Sequence, residues 1–204
     1  MTWVKICGTT SLEDAMVAVE AGADAVGFVF YEKSPRFVTA ERVREIVKEI
    51  PGSVETVGVF LNEAPERVAE IAELAGVSAV QLHGSHGVWP VTEKKVFVAV
   101  PAEELMASVG TMPPDARAVF ADSSNGTGGA FDWDEARTGV RAVMRYFPVV
   151  VAGGLTAENV AEMMAVLEPW GVDVVSGVEL FPGRKHPEKV RAFVAAVRRA
   201  DRER

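Results

Sequence analysis

The chain repeats one pattern from end to end: a short apolar run, a break on glycine, proline or a polar residue, then a stretch of helical period. The apolar runs fall at Trp3–Cys7, Ala25–Phe30, Thr56–Leu61, Ala79–His83, Val96–Val100, Ala118–Asp122, Pro148–Ala152 and Val172–Val175. Most are continuous in Val, Ala and Phe rather than alternating, as parallel strands covered on both faces require. Helices are expected at Leu12–Ala21 behind Ser11, at Ala40–Ile50 behind Thr39, and at Pro65–Ala75, with proline in the first turn and Gly76 as the stop. Thr156–Leu167 opens on the capping-box pattern Thr-Ala-Glu-Asn, and Pro187–Ala200 closes the chain. The fourth, fifth and sixth connections read as abbreviated, Ser85–Thr92 and Ala102–Val109 leaving room for only a turn or two each.

Eight such units predict an α/β fold, a single (β/α)8 TIM barrel with some abbreviated helices, residues 1–204 forming one catalytic domain. The alternative, an open doubly wound sheet, needs Gly-x-Gly-x-x-Gly after the first strand, where this chain has Cys7-Gly8-Thr9. A net charge of −8 argues against nucleic acid or an anionic membrane as partner, since both require a basic patch. It leaves room for a small phosphorylated ligand, which backbone amides can hold unaided. No apolar run approaches the roughly 20 residues of a membrane span. The N-terminus carries no basic region or cleavage site, which together predict a cytoplasmic protein. Cys7 is the only cysteine, so neither an intrachain disulfide nor a Cys-cluster metal site can form. His83 and His86 lack a third ligand within reach, and no metal site is expected.

In such a barrel the reactive residues stand at the C-terminal strand ends. Those ends carry Cys7-Gly8, Lys33-Ser34-Pro35-Arg36, Asn62, His83-Gly84, Asp122, Gly153-Gly154 and Ser176-Gly177, while the strand interiors read as apolar. Gly153-Gly154 and Ser176-Gly177 lie in the loops after strands 7 and 8, where this fold brings bare amides to a phosphate. Arg36 offers a planar fork suited to a carboxylate, and equally suits a solvated surface. His83 is placed to touch a ligand or to sit as an ordinary hydrogen-bonded histidine. Asp122, beside the glycine-rich stretch 123–129, has the setting of a general acid or of a loop-capping carboxylate. Cys7 can serve as nucleophile, base or ligand. As a base its thiol pKa must fall from about 8.5 toward neutrality. Lys5, two residues earlier on the same strand face, is the expected source of positive field.

Seven motifs occur in order: Lys5-Ile6-Cys7-Gly8, Gly22–Phe28, Lys33-Ser34-Pro35-Arg36, Val80-Gln81-Leu82-His83-Gly84, Phe131-Asp132-Trp133, Ala152-Gly153-Gly154-Leu155 and Ser176-Gly177-Val178-Glu179. Together they resemble the phosphoribosylanthranilate isomerases of tryptophan biosynthesis. The resemblance implies a cofactor-free Amadori rearrangement of N-(5′-phosphoribosyl)anthranilate to 1-(2-carboxyphenylamino)-1-deoxyribulose 5-phosphate; the sequence itself leaves monomer and homodimer both open. It makes Cys7 the general base at C2′, Asp122 the general acid at the ring oxygen, and Arg36 the holder of the anthranilate carboxylate. Gly153, Gly154, Ser176 and Gly177 would grip the phosphate, His83 would line the substrate site, and residues 126–129 would cover it. Departures from the family pattern are Tyr31-Glu32 before Lys33, Ser85-His86, the glycine spacing of 126–129, and Arg184-Lys185-His186 where aspartate is usual. The competing readings are another phosphosugar isomerase, such as the bifunctional one with paired aspartates, and a barrel that binds phosphorylated ligands without catalysis.

Overall fold

Side chains alternate between the two faces of a strand, so a strand apolar throughout has to be covered on both. In the computed structural model, which describes residues 1–84, 93–122 and 133–204, a closed barrel provides that cover. Its parallel strands are β1 (Trp3–Ile6), β2 (Ala25–Val29), β3 (Glu55–Leu61), β4 (Ala79–His83), β5 (Lys95–Pro101), β6 (Ala118–Asp122), β7 (Val149–Ala152) and β8 (Gly171–Val174), with β8 paired back onto β1. One set of side chains fills the lumen. There Trp3, Phe97 and Phe120 pack with ring centroids 5.5–6.2 Å apart, and Trp170 stacks on Trp3 at 5.2 Å. The other set, including Val4, Ile6, Val26, Phe28, Val119 and Val151, packs against the surrounding helices.

The helices are α1 (Leu12–Ala21), α2 (Ala40–Val47), α3 (Pro65–Ala75), α4 (Leu105–Ser108), α5 (Trp133–Val143), α6 (Val160–Leu167) and α7 (Pro187–Glu203). Ser11 Oγ accepts from the Asp14 amide and Thr39 Oγ1 from the Arg42 amide, which starts α1 and α2 where expected. Before α6, Asn159 Oδ1 accepts from the Thr156 amide, but Thr156 Oγ1 accepts from the Glu158 amide rather than that of Asn159, so only half of the expected capping box forms and the helix begins at Val160 rather than Thr156. No described helix is long and apolar enough to cross a membrane.

Three readings need correction. The fifth connection is abbreviated, α4 flanked by single 3-10 turns, but the sixth carries the eleven-residue α5. Thr138 and Gly139 weaken its helical signal, and packing of Val140 and Val143 into the core outweighs that propensity. The fourth connection, Ser85–Thr92, lies outside the described residues. Between β8 and α7 the chain forms a hairpin, β9 (Glu179–Phe181) and β10 (Arg184–Lys185), that the periodicity did not announce. Finally, the strand interiors are not wholly apolar: Lys5, Gln81 and Asp173 are buried on the lumenal side.

Candidate active site

The strand ends open into a cavity of about 430 Å³. Cys7, one residue beyond β1, stands on its wall, its amide donating to Val174 O at 2.9 Å. Asp122 enters at the end of β6, and His83 at the end of β4. Arg36 reaches in from the loop after β2, held over its turn by the Arg36 amide donating to Ser34 Oγ. Gly153, Gly154, Ser176 and Gly177 complete the rim from the loops after β7 and β8. Cys7, Arg36, His83, Asp122, Gly153, Gly154, Ser176 and Gly177 therefore all face one space. The glycine-rich residues 123–130 and His86 lie outside the described residues.

The two glycine-bearing loops are shaped for close approach. Gly153 and Gly154 have φ of +97° and +63°, which L side chains rarely adopt, and Asn159 Nδ2 donates to Gly154 O at 2.9 Å. A Cβ on Gly177 would fall 1.9 Å from Leu155 O, so the β8 loop rests directly on the backbone of the β7 loop. With no side chain at Gly153, Gly154 and Gly177, a ligand can approach the main chain at this end of the cavity, where backbone amides can hold an anion.

Opposite it, the chemistry-bearing groups are tied to partners the sequence did not name. Arg36 presents Nε and Nη2 to Glu179 at 2.9 and 2.6 Å, so one edge of its fork is already engaged. Glu179 also accepts from Lys185 Nζ at 3.2 Å and from the Gly183 amide at 3.1 Å. Burial alone would raise the Glu179 pKa, but Arg36, Lys185 and Gly183 together hold it below the usual carboxylate range. Burial pushes the Lys185 ammonium down, with Glu179 acting against that shift. The hairpin thus exists to deliver Glu179 and Lys185 beneath Arg36. Its signal in sequence was a pair of charges flanking Pro182-Gly183, readable as surface until the register is known.

Gln81 Nε2 lies 2.9 Å from His83 Nε2. Burial holds the His83 pKa down to about 4, with the Asp122 carboxylate pulling the other way. The ring is therefore neutral at pH 7, with one nitrogen donating and the other accepting. Cys7 departs from expectation. Burial pushes its thiol up, Lys5 pulls it down, Asp173 adds to the rise, and the net direction is upward rather than toward neutrality.

Comparison with known proteins places this geometry. Residues 4–196 match the family model described as N-(5′-phosphoribosyl)anthranilate (PRA) isomerase. The enzyme of that name from Citrifermentans bemidjiense is 45% identical, over 98% of each chain. The crystal structure of phosphoribosyl anthranilate isomerase from Thermotoga maritima superposes with a TM-score of 0.85 at 37% identity, covering 97% of this chain and 99% of that one. Another structure of such an isomerase, in complex with reduced 1-(o-carboxyphenylamino)-1-deoxyribulose 5-phosphate, gives a TM-score of 0.83 at 36% identity, over 97% and 99% of the two chains.

Proposed function

The chain belongs to the N-(5′-phosphoribosyl)anthranilate isomerase family and is an isomerase of tryptophan biosynthesis, and from that premise we propose that Cys7 and Asp122 are its base and acid. The substrate is N-(5′-phosphoribosyl)anthranilate, bound whole in the cavity. Its phosphate lies against the amides around Gly153-Gly154 and Ser176-Gly177, fixing the sugar relative to the two reacting groups. Asp122 gives its proton to the ribose ring oxygen as the C1′–O bond breaks, leaving an open-chain Schiff base. Cys7 as thiolate takes the proton from C2′, and the resulting enolamine tautomerises to the 1-deoxyribulose product. This assigns to the cavity a product of the same class as the reduced compound bound by the related isomerase.

The single observation that carries the reading is the shared cavity: Cys7 just beyond β1, Asp122 at the end of β6 and the glycine loops after β7 and β8 all line it. Arg36 keeps the outer edge of its fork for the anthranilate carboxylate, the inner edge being occupied by Glu179. His83 contributes a neutral imidazole whose charge state Asp122 influences. Acid and base on separate strands suffice for this rearrangement, and each is worth about 10²–10⁴-fold. The test is to mix purified protein with fluorescent N-(5′-phosphoribosyl)anthranilate and follow loss of its emission, with the ketose product identified by mass and borohydride reduction. No emission loss above the uncatalysed rate would reject the proposal.

A further inference from the structure

Lys5, Asp173 and Cys7 form a buried cluster on the seam where β8 meets β1. Lys5 and Asp173 face each other in the strand register, and Lys5 Nζ donates to Asp173 Oδ1 at 3.0 Å with both side chains removed from solvent. Cys7 follows Lys5 by two residues, on the same side of the strand. A Cβ on Gly27 would fall 2.7 Å from Cys7 Sγ and 3.0 Å from Lys5 Nζ, so the absence of a side chain at position 27 lets thiol and ammonium occupy one space. One fixed cation therefore faces two acids.

On the reading that Cys7 is the base, we propose that Asp173 is a positioning residue that anchors Lys5 and shares with Cys7 a single negative charge against it. In the resting site the charge is on Asp173 and Cys7 is a thiol. Cys7 becomes a thiolate when its S–H proton passes to the Asp173 carboxylate, Lys5 staying an ammonium, so the net charge of the three groups does not change. Bringing a second anion into this buried site would be far more costly than moving one. When Cys7 takes the C2′ proton it is a thiol again, and Asp173 then releases its proton to water.

The electrostatics agree with that geometry. Burial opposes the charge on Lys5, yet Asp173 and Cys7 outweigh it and its pKa rises. Burial pushes Asp173 up as it does Cys7, while Lys5 pulls both down, so the two acids compete for the same cation. Of the other charges facing the pair, Lys185 from β10 favours ionisation of both, Arg36 from the β2 loop lies close enough to Cys7 to feel its charge, and Asp122 from β6 pushes Asp173 further up. Such a pair titrates as a unit.

Alkylation of Cys7 by iodoacetamide as a function of pH reads this directly, because the chain has no other cysteine. Asp173→Asn frees Lys5 to act on Cys7 alone, and the alkylation midpoint moves down by about one pH unit, about tenfold more thiolate below the midpoint. Lys5→Met moves it up. A midpoint in Asp173→Asn equal to or above that of the wild type overturns the proposal. Should Asp173→Asn not fold, carbon-13 NMR of the Asp173 carboxyl in the wild-type chain takes its place. Its shift then shows a second step at the alkylation midpoint that Cys7→Ala lacks, and a single step in both chains overturns the proposal. Neither readout uses turnover, so activity retained by Cys7→Ala would remove the base role while leaving the charge-sharing result to stand or fall separately.

Discussion

Gly177→Ala tests the phosphate cradle with one added carbon. The new Cβ would sit 1.9 Å from Leu155 O and 3.0 Å from its carbonyl carbon, where ordinary contact begins at 3.4 Å. The loops after β7 and β8 must therefore part by about 1.5 Å, since the obstacle is backbone and cannot rotate away. Overpacking of this kind costs about 1–3 kcal/mol, which in a chain of this size lowers Tm by roughly 2–4 °C per kcal/mol. The functional effect is of similar size in free energy. A displacement of about 1 Å in a positioning group costs on the order of 10²-fold, so kcat/KM falls about 30- to 100-fold, mostly through KM. The assay is steady-state emission loss, with inorganic phosphate as a competitive inhibitor whose inhibition constant rises in parallel. Gly110→Ala, where a Cβ meets nothing within 4 Å, is the matched control and stays at wild-type values. Wild-type KM and phosphate inhibition in Gly177→Ala, with only Tm lowered, would show that the glycine serves the turn alone and that phosphate binds elsewhere.

Two further predictions follow from the groups around the cavity. Glu179→Gln keeps the shape beside Arg36 but removes the charge that orients its fork, raising KM about tenfold, equivalent to about 1.4 kcal/mol, with kcat changed far less; an unchanged KM would show that Arg36 does not depend on Glu179. His83 has a folded pKa of about 4 against an ordinary 6.5, so the unfolded chain takes up its proton first as pH falls. Stability is then lost between pH 6.5 and about 4, by at most about 3 kcal/mol, and urea unfolding of His83→Gln should show that much less acid sensitivity. Equal pH dependence in both chains would contradict it.

The barrel was legible because its physics is local. Strands covered on both faces must be apolar throughout, helices announce their ends with Ser11, Thr39 and Gly76, and the fold then assigns the strand ends to chemistry. That is why Cys7, Arg36, His83, Asp122 and the two glycine loops could be named from the sequence and meet in one cavity. Their partners could not be named so. Lys5 and Asp173 are 168 positions apart and become neighbours only because the last strand closes on the first. Glu179 and Lys185 are charges in a segment without period, and only the hairpin turns them inward. The direction at Cys7 was misjudged for the same reason. From sequence Lys5 is an unopposed cation beside a thiol, whereas in the fold it is already paired and the thiol is buried. Helix α5 was missed because Thr138-Gly139 hides a period that packing enforces.

The central claim is that two side chains carry the rearrangement and that the phosphate cradle works without them. The most direct measurement compares turnover and phosphate binding in Cys7→Ala and Asp122→Ala. Each variant should lose turnover by at least about 10²-fold, as removal of a general base or acid does, while inorganic phosphate still binds with wild-type affinity. Full turnover in either variant would contradict the account.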